Sequence, residues 1–201
     1  MNLILIRQAV VVPLGALLAA MLFALFQPDY VSLAQHLSEL TLLDQPIAYV
    51  VRAAAILTGS SMLLFGIGVV AARTPRLWFT ALAAVIGGAS MISNGVYVMG
   101  SPLHGLYGIG FFMVLVPAFF AAEACRADDA TCAWMRRLSM AMAAFNLLYF
   151  WMMIAGLDPE GWHGLTQRLF MVVSFGWYSV AAWWLVRDTS VLAANIRVPA
   201  A

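Results

Sequence analysis

The sequence contains no lysine, and its ten basic residues are all arginine. Without lysine the chain cannot form a phosphate-binding P-loop, a Schiff base or a lysine general base. Charged residues make up only 9% of the chain and the formal net charge is +1, which leaves no strongly basic surface for nucleic acid. We therefore expect neither a P-loop enzyme nor a nucleic-acid-binding protein.

Metal-ligand motifs are also missing. The two cysteines, Cys125 and Cys132, form neither a CxxC motif nor a zinc-finger spacing, and we predict two reduced thiols in a loop. No two of the three histidines form an HxxxH or HExxH pair, so a metal site that included Glu39 or Asp158 would need ligands from separate loops. We predict no metal ion and no cofactor.

Long apolar runs dominate the chain instead. Hydrophobic residues account for 64% of the 201 residues and the mean hydropathy is +0.93, whereas a soluble domain is about half apolar and about a quarter charged. A membrane-spanning helix needs about 20 apolar residues, so this length accommodates about six spans. We predict a single all-α integral membrane domain over residues 1–201, built as a six-transmembrane-helix bundle.

Turn residues and charged loops separate the expected spans, which cover about residues 6–26, 48–72, 77–99, 104–122, 138–156 and 165–186. Residues 30–46 are too polar to cross the membrane, yet Leu33, Leu37 and Leu40 recur at helical spacing. We therefore predict a short amphipathic helix between spans one and two, lying over the outer side of the bundle.

Arginine positions predict the orientation of the bundle. Eight arginines fall on one side of the six-span arrangement, and only Arg52 and Arg168 fall towards the other side. Because loops rich in arginine stay in the cytoplasm, both termini of this multi-pass inner-membrane protein are predicted to be cytoplasmic. The three histidines, His36, His104 and His163, then lie on the outer side.

The same outer side gathers further polar side chains, which usually face a bundle interior or a wet cavity. Arg52 and Arg168 could each hold a carboxylate or phosphate, such as a lipid headgroup, or form an internal salt bridge with Glu39. His104 could act as a general acid or base, or could cap the start of span four and form a hydrogen bond with a loop carbonyl group. Ser38 and Glu39 could supply a nucleophile and an acid, or could form the polar face of the outer helix.

Four stretches carry a resemblance to a known family. They are the segment 27–40, which ends in Ser38-Glu39-Leu40; the second-span stretch 57–68; the step Leu103-His104-Gly105; and the opening of the last span, Gly164-Leu165-Thr166-Gln167-Arg168. In this order they resemble the bacterial membrane family of domain of unknown function 998, over about residues 13–187. The family usually has an acidic residue directly after the histidine, where this chain has Gly105, and a longer outer loop before it.

This resemblance implies a six-helix bundle and raises Ser38, Glu39, His104, Gln167 and Arg168 above His36 and His163, which fall outside the matching motifs. The activity of the family is uncharacterised. The resulting candidate ligand-binding residues are Arg52, Asn94, His104, Gln167 and Arg168. We predict an outer polar pocket that binds a membrane lipid or small amphiphile, in a protein that acts alone, as a homo-oligomer or as a subunit of a complex. The alternative is an intramembrane hydrolase or transferase acting on a lipid or isoprenoid, with His104 and Ser38 or Glu39 as catalytic residues.

Overall fold

The computed structural model describes residues 3–72, 77–124 and 130–187, and these residues form helices and turns without strands. The α-helices are α1 (Ile4–Arg7), α2 (Val12–Ala24), α3 (Pro46–Ala71), α4 (Trp78–Val96), α5 (Phe112–Ala124), α6 (Ala130–Ile154) and α7 (His163–Arg187). Short 3₁₀ helices cover Gln8–Val10, Leu37–Leu42 and Ile109–Phe111.

Five of the helical segments are long and apolar enough to cross a membrane: Ile4–Ala24, Pro46–Ala71, Trp78–Val96, Cys132–Ile154 and His163–Arg187. A sixth apolar helix, Ile109–Ala124, is shorter. Helices are expected in such a chain because lipid offers no partner for backbone N–H and C=O groups, which a helix satisfies internally. The predicted all-α membrane fold is confirmed, and the chain is a multi-pass membrane protein.

Two elements differ from the sequence prediction. Span four was predicted to begin near residue 104, but its first helical residue is Ile109, because the preceding residues from Gly105 to Gly108 all have positive φ. The predicted amphipathic helix between spans one and two is a 3₁₀ helix at Leu37–Leu42. Its Leu37 and Leu40 are buried as expected, whereas Leu33 is 50% exposed.

Helices α3 and α4 approach each other through glycine. A Cβ atom added to Gly88 would lie 2.6 Å from the carbonyl oxygen of Gly59, and one added to Gly95 would lie 2.5 Å from the carbonyl oxygen of Arg52. Small residues permit such backbone contact between membrane helices, where van der Waals packing replaces the hydrophobic effect as the main attraction. The two helices therefore form a closely packed pair within the bundle.

Aromatic rings fill the centre of the bundle. The ring of Phe65 on α3 meets the rings of Trp177 and Tyr178 on α7 edge to face, and Phe120 on α5 meets Trp177 in the same way. Trp177 is fully buried, and its indole N–H donates to the hydroxyl of Ser139 on α6 at 2.9 Å. This cluster joins four helices and satisfies the one polar group of the indole.

Charged side chains from neighbouring helices cap α4 at both ends. The carboxylate of Glu123, at the end of α5, accepts the backbone N–H groups of Phe79 and Thr80 at 2.8 Å each. At the other end the guanidinium of Arg52 donates to the carbonyl oxygens of Gly95 and Val96, also at 2.8 Å each. An anion at the N-terminus and a cation at the C-terminus both complement the helix dipole.

The thiol chemistry differs from the sequence prediction. Cys132, near the start of α6, is disulfide-bonded, so the prediction of a reduced thiol is wrong for this residue. Cys125, the other cysteine of the prediction, lies outside the described residues.

The α3–α4 contact yields the first prediction. We expect Gly88→Ala to lower the free energy of unfolding by about 1–3 kcal/mol, because the new methyl group forces two tightly packed backbones apart. The matched control is Gly15→Ala in α2, where the nearest atom to an added Cβ is the Val11 Cγ1 at 3.7 Å. Unfolding in detergent, followed by circular dichroism, measures both variants, and an equal effect of the two substitutions would contradict the prediction.

Candidate functional site

His104 lies in an irregular loop between α4 and α5 and not on a helix. Four consecutive residues of this loop adopt the left-handed conformation, with φ of 77° at Gly105, 52° at Leu106, 55° at Tyr107 and 84° at Gly108. Two of them are not glycine, and such residues are uncommon in this region because Cβ approaches the backbone. The chain holds this strained turn where it borders a cavity, as is typical of binding and active sites.

One ring nitrogen of His104 is fixed by the backbone. Its Nδ1 lies 2.9 Å from the carbonyl oxygen of Tyr97. Because a carbonyl oxygen can only accept, Nδ1 carries the hydrogen, and the Nε2 of a neutral His104 is then an acceptor. The structural alternative is therefore correct in part. His104 bonds to a loop carbonyl group, that of the residue following α4, but it does not lie at the start of a helix.

A cavity of about 320 Å³ lies between α4, α5, α6 and α7. Its wall is mostly phenylalanine, methionine and glycine, and its polar members are His36, Ser90, Asn94, His104, Tyr149 and Gln167. No arginine, aspartate or glutamate of the described residues belongs to the wall. This volume and this mixture of a large apolar wall with a few polar groups are typical of ligand pockets.

A second, smaller cavity of about 100 Å³ adjoins the first. Asn94, His104 and Gln167 line both cavities, and Ser38 lines only the smaller one. Three of the five predicted ligand-binding residues therefore lie together, between the two spaces. The remaining two, Arg52 and Arg168, line neither cavity.

Asn94 has an unsatisfied oxygen. Its Oδ1 is buried and has no hydrogen-bond partner, while its Nδ2 lies 3.5 Å from the sulfur of Met91. The Oδ1 faces the strained loop, since a Cβ added to Gly105 would lie 3.6 Å from it. A buried acceptor without a donor costs about 1–3 kcal/mol, so a ligand that donates to it is favoured.

The two predicted arginines bind backbone carbonyl groups. Arg52 caps α4 as described, and Arg168 donates to the carbonyl oxygen of Gly164 at 2.6 Å and to that of Gln35 at 3.2 Å. The other guanidinium nitrogen of Arg168 donates to the hydroxyl of Tyr30 at 2.6 Å, and its charge lies over the Tyr30 ring. Neither arginine pairs with an acidic side chain of the described residues. Both arginines connect secondary-structure elements.

The N-terminus of α7 docks on the connection between α2 and α3. The backbone N–H of Leu165 donates to the carbonyl oxygen of Leu33 at 3.0 Å, and the Oε1 of Gln167 accepts the N–H of Leu37 at 2.8 Å. Gly164 makes this approach possible, because a Cβ at this position would collide with the carbonyl oxygens of Ser32 and Gln35. The Gly-Leu-x-Gln-Arg motif therefore holds the connection over the helix bundle.

The catalytic candidates are not assembled as an acid–base pair. The Oγ of Ser38 contacts the sulfur of Met99 at 3.5 Å, and the Oε1 of Glu39 accepts the backbone N–H of His36 at 2.7 Å. Glu39 lines neither cavity and acts as a cap of the 3₁₀ helix. Ser38 and His104 share the wall of the smaller cavity, where each has its own partner.

A second polar cluster was set aside by the sequence analysis. The Nδ1 of His163, the first residue of α7, lies 2.9 Å from the Oδ2 of Asp158, and the ring of His36 stacks on that of His163 with centroids 6.1 Å apart. Burial lowers the pKa of His36, although the carboxylates of Glu39 and Asp158 act in the opposite direction. No local motif joins these residues, and only a long-range pairing of the two loops could have indicated the cluster.

The long apolar helices define the chain as a helical multi-pass membrane protein, and its polar site lies beside the loop that follows α4. The family described as "protein of unknown function (DUF998)" matches residues 10–184, and the chain belongs to this family. No curated protein and no solved structure matches the chain. The resemblance inferred from the sequence motifs is confirmed.

The docking of α7 yields the second prediction. We expect Gly164→Ala to detach the connection from α7 while the spans remain folded, because the methyl group would collide with two carbonyl oxygens. Hydrogen exchange measured by mass spectrometry should then become at least tenfold faster at the amides of Leu37 and Leu165. The control is Gly176→Ala on the same helix, where an added Cβ would lie 3.7 Å from its nearest neighbour. Unchanged protection in Gly164→Ala would contradict this account of the motif.

Proposed function

We propose that this membrane protein binds a lipid or small amphiphile in the 320 Å³ cavity, with the polar end of the ligand at Asn94, His104 and Gln167. The observation that carries the proposal is the buried, unpartnered Oδ1 of Asn94 beside a wall that is mostly phenylalanine, methionine and glycine. Such an oxygen is stabilised by a donor from the ligand, while the aromatic and methionine side chains accept an apolar chain.

The polar groups of the wall favour an uncharged ligand that donates hydrogen bonds. Asn94 Oδ1 is an acceptor, and the Nε2 of neutral His104 is a second one. No arginine belongs to the described wall, and Arg52 and Arg168 already bind backbone carbonyl groups. A phosphate would enter without a cationic partner, which is unfavourable at low dielectric. A hydroxyl headgroup suits the cavity better than the anionic headgroup that was one of the alternatives for Arg52 and Arg168 in the sequence analysis.

Binding is favoured over catalysis by the contacts of the candidate catalytic residues. An acid–base mechanism needs His104 within hydrogen-bond reach of Ser38, Glu39 or a substrate atom. The observed partners are instead the Tyr97 carbonyl oxygen for His104, the Met99 sulfur for Ser38 and the His36 N–H for Glu39. We therefore propose a binding module, for which an enzyme acting on the same class of lipid remains the competing hypothesis.

Two probes that differ by one phosphate group give the third prediction. The full chain, purified in detergent, is titrated with 1-monooleoylglycerol and with oleoyl lysophosphatidic acid, and bound species are counted by native mass spectrometry. We expect about one monooleoylglycerol per chain and weaker binding of the phosphate. Asn94→Leu should weaken monooleoylglycerol about threefold to tenfold, because one hydrogen bond contributes about 0.5–1.5 kcal/mol.

The matched control is Gln45→Leu, since this exposed amide contacts only Gln27 and lies outside both cavities. The proposed ligand chemistry would be overturned if the wild type and Asn94→Leu bound monooleoylglycerol with equal affinity. It would also be overturned if the wild type preferred oleoyl lysophosphatidic acid. Hydrolysis or acyl transfer of the bound monooleoylglycerol, lost in His104→Ala, would instead favour the enzyme hypothesis.

We further propose that the protein lies in a bacterial inner membrane with both termini in the cytoplasm. The up-and-down alternation of helices supports this orientation. Arg7 and Arg187 lie at helix ends and Arg136 and Arg137 lie in the first third of α6, all on the side opposite His104. The disulfide bond of Cys132 favours the reverse orientation, since cytoplasmic thiols are usually reduced. The arginine distribution involves more independent positions, and we base the proposal on it.

Reporter fusions give the fourth prediction. A green fluorescent protein fused to the C-terminus should fluoresce, whereas alkaline phosphatase at the same position should be inactive, because each reporter works on only one side of the membrane. The opposite pair of results would reverse the proposed orientation and would place Cys132 in an oxidising compartment.

A further inference from the structure

Three side chains from two distant parts of the chain bring metal-ligand atoms together. One ring nitrogen of His36, one ring nitrogen of His163 and one carboxylate oxygen of Asp158 all lie within 4.8 Å of one another. In the described residues this is the only such group of histidine, cysteine or acidic side chains. None of the three belongs to the predicted ligand-binding set, and the sequence analysis expected no metal.

The position of His36 is set by α7 on both of its sides. The carbonyl oxygen of Gln35, just before His36, accepts from Arg168, and the N–H of Leu37, just after it, donates to Gln167. His163 is the first residue of the same helix. The backbone on both sides of His36 is therefore attached to the helix that carries His163. This attachment reduces the conformational entropy that would be lost when the two side chains bind an ion.

The carboxylate of Asp158 is also oriented in advance. Its side chain is only 8% exposed, and while Oδ2 faces His163, its Oδ1 lies 2.8 Å from the hydroxyl of Thr166. A carboxylate at this depth needs a cationic partner, because desolvation disfavours the isolated charge. A hydrogen bond to the second oxygen of a ligating carboxylate is a common feature of metal sites.

We propose that His36, Asp158 and His163 bind Zn²⁺. Two imidazole nitrogens and one carboxylate oxygen are the ligand types of catalytic zinc sites, which keep the fourth position for water or substrate. Zinc bonds of about 2.0–2.2 Å place tetrahedral ligand atoms about 3.4 Å apart, so the three ligand atoms must move closer together when the ion binds. Magnesium and calcium prefer sites made entirely of oxygen ligands.

The zinc site is distinct from the amphiphile site, although His36 belongs to the wall of the larger cavity as well. The metal would lie beside that cavity and not among Asn94, His104 and Gln167. The proposal does not depend on the lipid-binding function, because its test uses the metal alone.

Titration of the tag-free full chain with Zn²⁺ tests the proposal and gives the fifth prediction. The protein is purified in detergent, stripped with a chelator and titrated against a chromogenic zinc indicator. We expect one equivalent to bind in the presence of millimolar Mg²⁺. Asp158→Asn and His163→Ala should each weaken binding at least tenfold, whereas His104→Ala, which changes the one histidine outside the cluster, should bind as the wild type does.

Thr166→Val provides an independent variant, because it leaves all three ligands in place and removes only the hydroxyl beside Asp158. We expect a loss of about 10- to 100-fold in zinc affinity, the usual effect of removing such a supporting group. Absence of saturable binding to the wild type, or equal weakening by His104→Ala and His163→Ala, would overturn the proposal. Each variant is compared with the wild type in its unfolding midpoint with chelator present, so that misfolding is recognised.

Discussion

The absence of a side chain at Gly164 is the constraint on which the candidate sites depend. It allows the first turn of α7 to touch the backbone of the α2–α3 connection, where any Cβ would meet the carbonyl oxygens of Ser32 and Gln35. Once this contact is made, Arg168 and Gln167 bind the peptide groups on the two sides of His36. The motif at the start of α7 thus binds backbone groups of the α2–α3 connection. Its arginine, Arg168, has a structural role.

Polar side chains in this protein divide into two groups according to what they bind. Arg52, Arg168 and Glu123 bind backbone groups that lipid cannot satisfy, because an unpaired peptide group in hydrocarbon is costly. Asn94 retains an oxygen without a partner. Around the larger cavity the charged groups are therefore structural, and its wall contains no arginine, aspartate or glutamate of the described residues. This division is the reason for proposing an uncharged ligand in a chain whose only cationic side chain, apart from histidine, is arginine.

The sequence predicted the fold well, because the apolar runs are long and lipid admits few backbone structures. It also grouped Asn94, His104 and Gln167 on one side of the membrane, and these three residues line the same two cavities. The hydrogen-bond partners of Arg52 and Arg168 could not be predicted, because they depend on which carbonyl groups lie within reach after the helices have packed. The left-handed turn from Gly105 to Gly108 was missed for a related reason: two of its residues disfavour that conformation, and only the surrounding structure imposes it.

The capping of α4 by its neighbours has a consequence for the behaviour of the protein in different membranes. Helix ends are commonly solvated by headgroups, which ties a helix to a given bilayer thickness. Here Glu123 and Arg52 form hydrogen bonds with the backbone at the two ends of α4, whatever the depth of the helix in the membrane. The α3–α4 pair can therefore keep its internal geometry in thin and thick bilayers, and hydrophobic mismatch is left to the peripheral helices.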